Sequence, residues 1–114
     1  MSGPQFVFPP PPNHLTVARR NDGETVTLVL RGEVDIASAP ALERVLQGVE
    51  RFSPCRIVLD LGPLTFIDST GIHLLIHAQE RANANGHQLV VTHVTSRVQR
   101  VFELTGLKDR LTIQ

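Results

Sequence analysis

Asp68-Ser69-Thr70-Gly71 sets two hydroxyls between a carboxylate and a glycine, at the point where an apolar run gives way to helical periodicity. A hydroxyl at a helix start can cap the helix, attack a substrate or accept a phosphate. The first N–H groups of a helix have no intrahelical partner, and the helix dipole favours an anion there by roughly 0.3–1 kcal/mol at an exposed site. A phosphate on Ser69 would be tolerated locally while adding about −1.5 to −2 charge to the surface that the loop presents. Capping by Asp68 or Ser69 is the plain structural use of the same residues.

Other chemistry is less well supported by the residue pattern. His73 and His77 stand four apart on the helix after Ser69. A zinc protease pattern would place a glutamate directly after the first histidine and supply a third ligand; here Leu74 follows and no third ligand is spaced to match, so no metal is expected. Nucleophilic catalysis by Ser69 lacks the Gly-x-Ser-x-Gly frame and a group to orient His73 as base, so no catalytic residue is assigned and the chain is not read as an enzyme. Phosphorylation of Asp60 or Asp68 in a receiver-like fold would need a further acidic cluster at an early strand end to hold Mg²⁺, and the strands before Arg56 end in Arg20 and Gly32 instead. No Gly-rich phosphate cradle is present, and no cofactor is expected.

The elements that must position Ser69 follow from the hydrophobic pattern. Leu15–Arg20 and Thr25–Gly32 are β-prone runs joined by Asn21-Asp22-Gly23-Glu24, whose Asp-Gly pair marks a tight reversal. In the second run Val26, Leu28 and Leu30 point inward and Thr25, Thr27 and Arg31 outward. Ser38 reads as an N-cap before Ala39-Pro40, opening a helix through Leu42, Val45, Leu46 and Val49 that ends before Ser53-Pro54. Arg56–Leu61 is nearly all apolar, the mark of a central strand covered on both faces. Gly71, Leu74, Leu75, Ala78 and Ala82 form the buried face of the helix after Ser69, and Asn85-Gly86 stops it. Gln88–Val91 is a further strand, Ser96 can cap a helix through Val98, Val101, Phe102 and Leu104 that ends at Gly106, and Leu111–Ile113 can add a last edge strand. The order ββαβαβαβ predicts one α/β domain whose sheet is mixed and mainly parallel, with right-handed crossovers and an antiparallel edge from the N-terminal β-hairpin.

Composition narrows the class further. A chain of 114 residues, 41% hydrophobic, supports one modest core. Eleven Lys and Arg balance eleven Asp and Glu, which leaves no electrostatic footprint for nucleic acid or an anionic membrane. There is no apolar run of membrane-spanning length and no signal-like N-terminus, and the single Cys55 reads as a small half-buried thiol; a reducing, cytoplasmic setting is expected. Residues 1–13 hold five of the eight prolines and read as an extended, polyproline-biased tail outside the core, with 14–114 as the domain.

Three short motifs, in order and at matching positions, give a family resemblance: Gly32-Glu33-Val34-Asp35 after the second strand, Ile67-Asp68-Ser69-Thr70-Gly71-Ile72 at the strand–helix junction, and Leu104-Thr105-Gly106-Leu107 near the end. From Leu15 to Gln114 the chain resembles a bacterial anti-sigma factor antagonist of the STAS domain family. The resemblance implies a STAS fold and a protein that binds an anti-sigma factor with serine kinase activity, so releasing a sigma factor. It implies that the kinase phosphorylates Ser69, in preference to Thr70, and that a PP2C-type phosphatase restores it. Asp35, Asp68, Ser69, Thr70, Gly71 and His73 are the expected partner surface, on a monomer or weak dimer. Asp35 also suits a turn, and Gly71 would let either the helix or a partner backbone approach closely.

Two departures from the family pattern stand out. Position 73, commonly glycine, is His73, whose imidazolium would stabilise phosphoserine and make partner release pH-sensitive. Many relatives carry a last helix after the final strand, and this chain ends at Gln114. Two other readings compete: a STAS module of another assembly, such as a lipid-transport complex or stress-signalling scaffold, with Ser69 unmodified, and a small-molecule or nucleotide-binding domain.

Overall fold

The computed structural model describes residues 15–114, so the proline-rich stretch 1–13 lies outside the described residues. Strands β1 (Leu15–Asp22) and β2 (Thr25–Val34) form the expected hairpin, closed by Gly23 at φ +63° and Glu24. Helix α1 (Ala39–Glu50) leads to β3 (Arg56–Asp60), and β4 (Leu64–Ile67) leads to α2 (Ser69–Asn85). Strand β5 (Gln88–Thr92), helix α3 (Ser96–Thr105) and a 3-10 turn at Lys108–Arg110 complete the domain.

The sheet runs β1-β2-β3-β5, with β1 antiparallel to β2 and the other pairs parallel, so the mixed, mainly parallel sheet is the one expected. Its details differ at three places. The stretch after Gly62 forms β4, parallel to the end of β2, where Gly32 pairs with Leu64 and Val34 with Ile67. Leu111–Ile113 makes only an isolated parallel bridge, Ile113 to Val91, because the 3-10 turn uses the preceding residues. Strand β3 is covered by helices on one face, where Arg56–Leu61 had suggested two. Ile57 and Leu59 of β3 join Leu89 and Val91 of β5 in a core shared with Leu42 and Leu46 of α1, Ile72 and Leu75 of α2, and Val98 and Phe102 of α3. Right-handed crossovers that advance the same way across a sheet leave their helices on the same side.

Local capping also differs from the sequence pattern. Ser38 precedes α1 but does not cap it; its hydroxyl donates to the Glu33 carbonyl at 2.8 Å, and the Asp35 carboxylate takes the Ala37 and Ser38 N–H groups at 3.0 Å each. Thr95, one residue before the expected Ser96, caps α3 through its hydroxyl to Val98 N–H at 3.4 Å. Gly86 and Gly106 end α2 and α3 in left-handed conformations at φ +81° and +70°. Thr27 is buried, although alternation placed it outward. Cys55 is exposed, where a half-buried thiol was expected, because it precedes β3 at the sheet's end. The hydrogen bond to Glu24 at 2.9 Å, and then that carboxylate's charge, raise its pKa and hold it as a thiol.

Helices α1 and α2 run side by side in the same direction. Arg81 of α2 bridges two acids of α1, 2.8 Å from Glu43 and 3.0 Å from Glu50. Burial works against the Arg81 charge, but the hydrogen bond to Glu50 and the two carboxylate charges outweigh it and hold the guanidinium above its ordinary range. Phe102, fully buried, anchors α3 in the core. Phe102→Ala is expected to lower unfolding free energy by about 3–5 kcal/mol in urea titrations; a loss under about 1 kcal/mol would contradict this packing.

Candidate functional site

The Asp68–Gly71 motif sits where β4 becomes α2, and each of its residues has a distinct place. Asp68 has extended backbone, its N–H donates to the Val34 carbonyl at 3.1 Å, and its carboxylate accepts from Gly71 N–H at 3.1 Å. It is therefore the cap of α2. Ser69 is the first helical residue and is exposed, with Thr70 half-buried beside it. The capping duty that Ser69 could have taken is met by Asp68, which leaves the serine hydroxyl facing solvent.

Gly71 is buried, and a Cβ placed there would lie 2.7 Å from Val34 Cγ1 and 2.7 Å from Ile67 Cγ1. Of the two uses its sequence position suggested, the structure displays the close approach of α2 to the strands. The neighbours are branched side chains pinned in the core, so they cannot yield cheaply.

His73 lies one turn after Ser69, exposed, with Nδ1 2.7 Å from the Ser69 carbonyl. A carbonyl only accepts, so Nδ1 carries the proton in this contact. The ring is thereby held along the first turn of α2 next to the serine. His77 is also exposed on the same stripe.

The loop after β2 reaches the same place. Asp35 is half-buried and organises the turn into α1, the turn role its residue type suggested. Its neighbour Ile36 is 76% exposed, a large apolar side chain displayed in a turn. Between α1 and α2 runs an open groove of about 540 Å³, lined by Ile36, Pro40, Thr70, His73, Leu74 and His77. Phe66 on β4, 44% exposed, adds a second displayed apolar group two residues before Asp68. Neither Ile36 nor Phe66 was picked out from sequence; the available signal was an apolar residue in a polar turn and an aromatic directly before the Ile67-Asp68 junction.

The two aspartates weighed as phosphate acceptors are otherwise engaged. Asp60 Oδ1 accepts from Gly62 N–H at 2.9 Å and lies 3.2 Å from His93 Nδ1, while Asp68 caps α2. Among the described residues no group of three or more His, Cys, Asp or Glu side chains is placed to hold a metal ion. No helix among them is long and apolar enough to cross a membrane.

This geometry can be set beside known proteins. The model of the family described as "Mlab, STAS domain" matches residues 17–113. The chain belongs to the STAS domain family. The anti-sigma-B factor antagonist of Staphylococcus aureus is 34% identical over 82 residues, spanning 72% of this chain and 76% of that protein. An anti-sigma factor antagonist from Mycobacterium paratuberculosis superposes with a TM-score of 0.80 at 26% identity, covering 91% of this STAS chain and 88% of that one. The Bacillus cell fate determinant SpoIIAA in its phosphorylated form shares the fold, with a TM-score of 0.66 at 19% identity over 89% of this chain and 91% of that one.

The STAS site's architecture separates frame from displayed group. Gly71→Ala is expected to cost about 1–3 kcal/mol by overpacking, and Asp68→Ala about 1 kcal/mol by loss of the cap. Ser69→Ala is expected to leave the melting temperature within about a degree, since exposed substitutions away from caps fall within about 0.5 kcal/mol. Thermal melts followed by circular dichroism order the three, and a Ser69→Ala loss equal to that of Gly71→Ala would show Ser69 to be part of the frame.

Proposed function

We propose that this STAS domain is an anti-sigma factor antagonist: it binds an anti-sigma factor with serine kinase activity, frees the sigma factor held there, and is switched off when that kinase phosphorylates Ser69. A PP2C-type phosphatase restores the binding form. The observation that carries the reading is Ser69 exposed at the start of α2 while Asp68 does the capping. Curated relatives with antagonist names at 34% identity support it. The contact surface of the proposal is the groove side of the domain: Asp35, Asp68, Ser69, Thr70 and His73, with Gly71 holding them in place and Ile36 adding apolar area.

Charge makes such a switch effective without refolding. At about 6 Å and an effective dielectric of about 20, each new unit charge facing a partner acid costs about 3 kcal/mol before screening. That corresponds to about a hundredfold in affinity. A phosphate sealed into a dry contact adds a desolvation penalty on top. The domain itself loses nothing in this scheme, because the serine hydroxyl is not spent on the helix cap.

The test incubates the domain with candidate kinase and ATP and follows mass. One phosphate is expected on wild type and on Thr70→Ala, and none on Ser69→Ala. Kinase binding is expected to fall about a hundredfold for the phosphorylated form. A wild type that never gains phosphate, while still binding a different assembly, would instead make this an unswitched STAS module.

His73 adds a second expectation. Its ring is held beside Ser69, so replacing it with glycine is expected to change the rate at which the kinase phosphorylates Ser69; an unchanged rate would remove His73 from the switch.

A further inference from the structure

The pattern that argued against a metal on α2 asked for three protein ligands. A chelate needs only two. His73 and His77 are both exposed, and both line the groove between α1 and α2. Side chains four apart on a helix have Cβ atoms about 5–6 Å from each other, and the same spacing supplies two of the zinc ligands in helical His-Glu-x-x-His sites.

His73 is already held as a ligand would be. Its Nδ1 donates to the Ser69 carbonyl at 2.7 Å, which fixes the ring along the first turns of α2 and leaves Nε2 with the free lone pair. Metal-bound histidines characteristically donate their other ring N–H to a carboxylate or a backbone carbonyl, and that bond orients the ring and raises its basicity as a ligand.

The surroundings do not set a bare cation against an incoming one. The charged groups on the adjoining turns are paired, Arg81 with Glu43 and Glu50 of α1 and Glu80 with Arg110. Glu43 lines the groove as well, but its carboxylate is taken by Arg81 at 2.8 Å and by Gln47 at 2.9 Å. Among the described residues no third His, Cys, Asp or Glu completes a set with the two histidines.

We propose that His73 and His77 together bind one divalent transition-metal ion, of the class of Zn²⁺ or Ni²⁺, whose remaining coordination positions open onto the groove. Imidazole nitrogen suits these ions, whereas Mg²⁺ and Ca²⁺ take oxygen donors, and the histidine pair offers none. Helical side chains lean toward the N-terminus of their helix, so the ion lies over the turn that carries Ser69 and Thr70. Water fills the open positions in the free protein. The site does not depend on any modification of Ser69, and it gives the displayed end of α2 a positive charge that the balanced composition conceals.

The test titrates Zn²⁺ and Ni²⁺ by calorimetry into the full chain carrying Cys55→Ser, which removes the exposed thiol as a competing ligand. One ion per chain is expected. His73→Ala and His77→Ala, added singly, are each expected to weaken binding by about a hundredfold, because two tethered donors become one. Both positions are exposed, so the variants are expected to melt with their parent in the absence of metal. Excess Mg²⁺ is expected not to displace the ion. His93, whose Nδ1 lies 3.2 Å from Asp60 Oδ1, is the control, and His93→Ala is expected to bind as its parent does. No binding by the parent overturns the proposal, as does parent-like affinity in either His73→Ala or His77→Ala. Loss of binding in His93→Ala alone overturns it too and moves the ion to the Asp60 pair.

Discussion

There is room for only a hydrogen at position 71. That contact, with Val34 and Ile67 both 2.7 Å from where a Cβ would stand, draws the first turn of α2 down onto the ends of β2 and β4. Everything displayed around it inherits its position from this approach. Asp68 is close enough to the Val34 carbonyl to bond it and still turn its carboxylate to Gly71 N–H. Ser69 consequently starts the helix facing outward, and His73 follows one turn later along the same stripe. A bulkier residue would move the whole motif, so the glycine works by packing. Its backbone is ordinary and helical, and the residues with positive φ lie elsewhere.

Depth in this domain is provided by the helices on one face of the sheet, and their mutual alignment is electrostatic as well as apolar. Arg81 spans two turns of α1 by meeting both Glu43 and Glu50. Because α1 and α2 run parallel, the loop that starts α1 and the motif that starts α2 come to the same end of the molecule. A groove between them is the natural result, and it places Ile36 and Thr70 on opposite walls. Parallel α/β sheets concentrate such loops beyond the carboxyl ends of their strands.

Much of this was legible in the residues. The Asp22-Gly23 reversal, the helical face from Gly71 to Ala82 and the glycine stops at Gly86 and Gly106 all follow local rules of φ, spacing and burial. What escaped depended on neighbours that a linear pattern does not reveal. Arg56–Leu61 reads as apolar on both sides, but Val58 faces away from the helices and Ile57 and Leu59 face toward them. Ser38 holds the cap position of α1 but gives its hydroxyl to the Glu33 carbonyl, and Thr95 rather than Ser96 caps α3; only three-dimensional hydrogen bonding separates these uses. The four-residue β4 was hidden because it is short and extends the lane that β3 has already occupied. The capped helix start at Asp68-Ser69 was legible because the Asp68–Gly71 hydrogen bond is local, whereas the packing of Gly71 on Val34 depends on a strand distant in the chain.

That shared lane has a dynamic meaning. Beside β2, β3 fills one stretch and β4 the next, with a register shift at Gly32/Glu33 between them. The two stretches are held by separate hydrogen bonds, and β4 is the shorter by one residue and lies off the main path of the sheet. Amide protons of β4 and the first turn of α2 can then exchange through openings that leave β3 and β5 paired. The first turn of α2 is thus joined to a stretch of pairing separate from the one that holds β3 and β5.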